Sequence, residues 1–387
     1  MLINYLFING NKKMKSSLFQ IFIIFLSLNL SLNSFQTTLF QQMNKEFMSK
    51  NLLISPLSAY QVLSLTTNGA RGKTYKEMLA SLAANNIYEL NDINYSILKA
   101  AKEFSSIELA NAVMTAFIPE ERFTDIAYKY EATVEALRDV EQVNYWCKIK
   151  THEKINKILD SIEPNTLMIL LNAVYFKGMW TKQFDPQNTK KGYFYNFGED
   201  KNGVQVDMMY IKEKFYYYEN EFMQVIEIPF AKDSSSAIVF LPNKDYDINT
   251  FIGELDDEKI NFYLEHLYFQ YEVDLTLPKF ELEFSSELNN ALQKLGMNDA
   301  FNPGKADLTG MRKEGNIYIS KVIQKTYLKV DENGAEAAAV TAVVIKTRGI
   351  GTKTKRMIVN RPFVMVIKSS ELPKNNDILF MAKIEKL

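Results

Sequence analysis

The chain has 387 residues, 47% hydrophobic and 13% aromatic, enough for a large core in one or two domains. Its 45 Lys and Arg nearly cancel 46 Asp and Glu, and its single cysteine, Cys147, excludes an intrachain disulfide. Stability must therefore come from packing.

The first acidic residue is Glu46. Ahead of it, Lys12, Lys13 and Lys15 precede an apolar run from Leu18 to Leu30, and small polar residues follow from Ser31 to Ser34. This is the order of a secretory signal, so residues 1–34 are expected to be removed and a secreted, extracellular protein to begin at residue 35. A start at Met1 or at Met14 leaves the pattern intact. The apolar run contains Ser27 and Asn29 and is too short for a membrane span, so no membrane partner is expected. Removal takes away three basic residues and no acidic one, leaving 42 against 46, a net charge of −4. That argues against general nucleic-acid binding.

In chain order, Phe40–Met48 reads as a helix and Asn51–Ile54 as a short buried strand. Ser55 is placed to cap a helix that Pro56 begins, and Asn68–Gly72 ends it. Lys73 opens a further helical run to about Leu82. Leu109–Met114 reads as a strand, and Glu131–Asp160 as mostly helical. From Thr166 to Phe176 the chain is continuously apolar, as in a strand buried on both faces. Gln224–Phe230 and Ser236–Leu241 are two strands across a polar turn. Val273–Phe284 alternates around Pro278, which puts that strand at an edge or bends it. Ser286–Leu295 reads as a helix closed by Gly296, and Ile317–Val330 as a long strand. Phe363–Ile367 and Ile378–Ile384 form a terminal strand pair. Helices come mainly early and strands mainly late, which predicts an α+β protein.

Between the last two groups lies a stretch whose local signals conflict. Glu336–Ala339 favours helix, whereas Val340–Ile345 is mostly β-branched and favours strand. At period 2, Ala335, Ala337, Ala339, Thr341, Val343 and Ile345 share one small or apolar face. Lys346-Thr347-Arg348-Gly349-Ile350-Gly351 then reads as an exposed basic turn. A surface helix followed by a buried strand is the alternative reading of this segment alone.

Several separate stretches, in order, resemble the serpins. They are NLLISPLSAY (51–60), LNAVYFKGMW (171–180), QVIEIP (224–229), VDLTLPKF (273–280), LGMNDAFNPGKAD (295–307), KVDENGAEAAA (329–339) and NRPF (360–363). The resemblance implies a fold of three β-sheets with eight or nine helices and an exposed reactive loop. It implies a hinge at Glu332, Gly334, Ala335, Ala337, Ala338 and Ala339. Counting Glu332 as one, the bond attacked by a protease follows position seventeen, which is Arg348-Gly349. Ser55, Ser58, Asn172 and Gln324 match the point where side chains bond across the separating strands of the large sheet. Many members carry histidine where Gln324 stands, so a titratable group is missing here. The region before Trp146 reads as shorter than usual, so a trimmed helix over the large sheet is expected.

The chemistry such residues suit is a trap. A protease serine attacks the Arg348 carbonyl, the cut loop inserts into the sheet, and the acyl-enzyme is carried along. Small residues must lead, and the hinge alanines are small. The Arg348 guanidinium suits a specificity pocket with an aspartate at its base, so the expected partner is a trypsin-like serine protease in a covalent complex. Lys346, Lys353, Lys355 and Arg356 would favour an acidic protease surface. A cysteine protease target stays open. The protein is expected to be a monomer with no cofactor and not an enzyme. His152 and His266 have no metal-ligand partner at suitable spacing, and no G-x-S-x-G stretch supports a hydrolase. A non-inhibitory serpin-fold binding protein or chaperone is the rival reading. Asn94-Tyr95-Ser96 is the one glycosylation sequon outside the leader.

Overall fold

A computed structural model describes residues 34–103, 107–231, 234–334 and 354–387. The expected leader up to residue 33, and Ala335, Ala337, Ala338, Ala339, Arg348 and Gly349, lie outside the described residues. So do Lys346 and Lys353.

The chain opens with α1 (Phe35–Glu46), β1 (Leu52–Ile54), α2 (Pro56–Gly69), α3 (Gly72–Ser81) and α4 (Ile87–Glu103). Ser34, expected to end the leader, is buried, and its hydroxyl donates to Asp257 at 2.8 Å. Next come β2 (Ile107–Thr115), α5 (Glu121–Lys129), β3 (Thr133–Ala136), α6 (Val140–Lys150) and β4 (Met168–Phe176). Strands then dominate: β5 (Lys190–Tyr195), β6 (Gly203–Glu219), β7 (Met223–Pro229) and β8 (Ser235–Pro242). After α7 (Ile248–Glu254) and α8 (Asp257–Glu265) follow β9 (Tyr268–Pro278), β10 (Phe280–Glu287), α9 (Asn289–Lys294) and β11 (Lys321–Val330). β12 (Thr354–Ile358), β13 (Phe363–Ser369) and β14 (Ile378–Ile384) complete the chain. Nine α-helices thus lie among the described residues, and the class is α+β as expected.

Two hydrogen-bonded sheets form. The smaller has the order β10-β11-β4-β2-β3, and the larger runs β1-β14-β13-β8-β7-β6-β9-β12 with β5 on β6. The three sheets implied by the sequence are present with two of them joined through β6. That long strand pairs with β5 and β9 over most of its length and with β7 at its end. Pro278 bends the chain rather than marking an edge. It ends β9 in the larger sheet, and β10 begins two residues later in the smaller one.

The apolar run of β4 is explained by two cores. Met168, Leu170, Val174 and Phe176 face the main core that α2 fills. Ile169, Leu171, Ala173 and Tyr175 face a second core under Val143, Trp146 and Cys147 of α6. Burial pushes the Cys147 thiol up to about 12. α2 carries no charge and is buried almost all round, as a helix between two layers must be.

The helical reading of Glu131–Asp160 is corrected. Glu131 has φ +53°, a left-handed turn that ends the preceding helix. Thr133–Ala136 then pairs in parallel with β2 as an edge strand. Only the 11 residues of α6 are helical, and Ile155, Ile158 and Leu159 of the following loop complete the cover.

Candidate functional site

The hinge leaves β11 at the top of the smaller sheet, and the chain returns at β12 in the larger. Between these ends, β4 and β11 run parallel from Lys321↔Ile169 to Tyr327↔Tyr175. Every other junction of this sheet except β2·β3 is antiparallel.

A polar rung crosses that junction at mid-strand. Gln324 stands opposite Asn172, and Asn172 opposite Asn111. The Gln324 amide nitrogen donates to Asn172 Oδ1 at 2.6 Å and to the Ser55 carbonyl at 2.9 Å. Its oxygen accepts from the Ser55 backbone N–H at 2.9 Å. Asn172 Nδ2 donates to the Ser58 hydroxyl and, at 2.5 Å, to Asn111 Oδ1. Ser55 also caps α2, accepting from the Ser58 N–H at 3.4 Å. The structure thus brings together all four residues expected at the control point, each buried below the sheet. Asn111 was missed. Its signal was the single amide in the otherwise apolar run Leu109–Met114. Ser286, opposite Gln324, is buried with its hydroxyl unpartnered among the described residues. Such bonds each contribute about 1 kcal/mol net, and orphaning a partner costs about 1–3 kcal/mol.

The hinge is clamped by the chain after β4. Trp180 N–H donates to the Asn333 carbonyl and Phe184 N–H to the Glu332 carbonyl, both at 2.9 Å. The Trp180 indole stacks on Phe230 at 4.5 Å and donates to the Asp331 carbonyl at 2.9 Å. Glu332 is buried, receiving Lys279 at 2.8 Å and the Thr189 hydroxyl at 2.8 Å. Burial works against its charge, but the bonds from Lys279 and Thr189 outweigh burial and hold its carboxyl below the usual range. Gly334 has φ +148°, and a Cβ there would meet the Gly178 carbonyl oxygen at 2.0 Å. Close approach, more than freedom to swing, requires glycine here. Lys279, Thr189 and Trp180 were not foreseen, because Lys279 and Thr189 reach Glu332, and Trp180 reaches Asp331 and Asn333, only through the tertiary fold.

At the returning end, β12 pairs in parallel with β9. Lys355, one of the basic residues expected to add positive charge near the reactive bond, is paired with Glu219 at 2.5 Å and lies over the Tyr271 ring. Arg361 is anchored by donating to the Pro242 carbonyl at 2.8 Å, and Phe363 is fully buried.

Asn94 cannot carry a glycan in this fold. It is fully buried in α4, with its amide nitrogen donating to the Leu90 carbonyl at 2.8 Å. Among the described residues no group of three or more His, Cys, Asp or Glu could hold a metal ion. No helix there is long and apolar enough to cross a membrane.

A family model described as Serpin (serine protease inhibitor) matches residues 30–387. The chain belongs to the serpin family. It is 32% identical to Serpin B8 of Homo sapiens over 371 residues, covering 90% of this chain and 96% of that protein. It is 30% identical to Antithrombin-III of Homo sapiens over 375 residues, covering 90% and 80%. The solved structure of a thermophilic serpin, Tengpin, in its native state superposes with a TM-score of 0.83 at 32% identity, covering 92% of this chain and 93% of that one. Human thyroxine-binding globulin, at 24% identity and a TM-score of 0.83, shares the fold. This serpin therefore belongs to a family of protease inhibitors.

Proposed function

We propose that this serpin is a secreted suicide-substrate inhibitor of trypsin-like serine proteases, with Arg348-Gly349 as its reactive bond. The observation that carries the reading is the parallel β4·β11 junction, zipped by a buried polar rung and set directly below the hinge. One strand can run antiparallel to both neighbours only if it lies between two parallel strands. The 14 residues Ala335–Arg348 supply such a strand.

In the proposed reaction the protease serine hydroxyl adds to the Arg348 carbonyl. The C–N bond to Gly349 breaks, the Gly349 amine leaves with the proton, and an ester joins Arg348 to the enzyme. The freed arm then inserts between β4 and β11. Insertion gives up one backbone ladder and the Gln324–Asn172 bond, and it forms two ladders. At about 3.3 Å per residue, the inserted arm carries the protease roughly 45 Å. Ala335 and the alanines after it lead because a bulky or charged side chain would stall the first step. Ser34 is held by Asp257, so we place leader removal ahead of Ser34.

Incubation with trypsin followed by a denaturing gel tests the reading. A band at the summed mass, abolished by Arg348→Ala, is expected. Clean cleavage without that band would make this a serpin-fold protein that does not inhibit.

A further inference from the structure

Asparagine is chemically labile, most of all before glycine, which has no side chain to keep its backbone nitrogen away from the asparagine amide. Three Asn-Gly steps lie among the described residues: Asn68-Gly69, Asn202-Gly203 and Asn333-Gly334. Two of them are held. The Asn68 amide nitrogen donates to the Ser64 carbonyl and to Asn91 Oδ1, and its oxygen accepts from Asn91 Nδ2, each at 3.0 Å. Asn202 donates its amide nitrogen to Glu199 Oε2 at 2.8 Å and its backbone N–H to the Glu199 carbonyl at 2.9 Å. Asn333 is different. It is half-buried, and its side-chain amide has no hydrogen-bond partner among the described residues. Its turn is closed by the bridge from Asp331 to Gly334. There the Gly334 N–H reaches the Asp331 carbonyl at 3.2 Å, the longer of the two bonds.

We propose that Asn333-Gly334 is a self-modification site that loosens the hinge. The Gly334 backbone nitrogen loses its proton to water, attacks Cγ of Asn333 and expels ammonia, closing a five-membered imide. Water then opens the ring at either of its two carbonyls, so the sum is water consumed and ammonia released. One opening leaves aspartate in place of Asn333. The other leaves an isoaspartyl residue, whose main chain runs through Cγ and is longer by a methylene. The former Asn333 carbonyl then becomes a free carboxylate. The hinge has no slack for that methylene. Gly334 lies against Met179, and even a Cβ on it would come to 2.0 Å from the Gly178 carbonyl oxygen. The Trp180 N–H holds the Asn333 carbonyl at 2.9 Å. A lengthened chain cannot keep both contacts. Either product also adds a carboxylate beside Asp331 and Glu332, which already pair with Lys329 and Lys279.

The test holds the full mature protein in warm, mildly alkaline buffer and follows it by peptide mass mapping, with an isoaspartyl methyltransferase to label the isoaspartyl product. Conversion at Asn333 should run several-fold ahead of conversion at Asn202 and Asn68. It should quicken as the pH rises, because the attacking nitrogen must lose its proton. The melting temperature should drift down with it, by roughly 2 °C at full conversion. Asn333→Gln keeps an amide but can close only a larger ring. It should start at the melting temperature of the unmodified protein and show no drift. An Asn333 that stays an amide, or converts no faster than Asn202, overturns the proposal. Conversion with no drift in melting overturns the loosening of the hinge. What conversion does to protease trapping rests on the Arg348 reading; the mapping and the melting do not, so each can fail alone.

Discussion

Two strand junctions in this molecule are built on opposite terms. β13 lies between β14 and β8, antiparallel to both, with six of its seven residues buried and every residue of β14 buried. Its facing side chains are almost all apolar. Of the buried charges nearby, Lys383 is tied to the Phe47 and Met48 carbonyls and to Asn249, and it pairs with Glu385 at 3.1 Å. β4 is equally buried, yet its junction with β11 is parallel and is crossed at mid-strand by amides. An antiparallel apolar junction has nothing to exchange for a new neighbour. The parallel one can trade side-chain bonds for two backbone ladders. In the proposed trap, polarity buried at this seam is where the sheet would part.

The sharpest break of this contrast is a charge in the sealed junction. Val366→Asp buries an unpaired carboxylate at a fully buried site, a loss of several kcal/mol that approaches the whole stability of a domain. No folded protein should elute on gel filtration. The same kind of insult at the seam should be survivable. Asn172→Ala strips partners from Gln324, Ser58 and Asn111 and should cost about 2–3 kcal/mol. By thermal melting that is a fall of a few degrees, with insertion after cleavage retained. The smallest effect lies at the hinge clamp. Because the folded pKa of Glu332 is lowered, its contribution is fully present above the ordinary carboxylate value and is lost as pH falls through the lowered one. Glu332→Gln should cost about 1 kcal/mol at pH 7, and the gap in melting temperature from the unmodified protein should narrow as the pH falls below the ordinary carboxylate range.

The sequence made this contrast only half legible. The unbroken apolar run of β4, the Ser55-Pro56 helix start and the terminal strand pair were readable because each is a local pattern. Ser55, Ser58, Asn172 and Gln324 were grouped by resemblance, and they do share one network. Asn111 escaped because its strand was recognised but its face was not, and only cross-strand register shows that it meets Asn172. β3 escaped because four residues at a sheet edge are set by pairing with β2, some 20 residues earlier, and not by their own periodicity. The Glu332 clamp escaped for the same reason. Lys279 reaches it only because the Pro278 bend passes the chain from one sheet to the other.

Hydrogen–deuterium exchange before and after a nick at Arg348 measures the parting of β4 from β11 directly. The account predicts that residues 335–348 exchange freely in the intact protein and become protected after the cut. Protection should also rise along Met168–Phe176 and Lys321–Val330. If the severed arm goes on exchanging freely and those two strands are unaffected, the sheet has not opened to receive it and the trap does not operate.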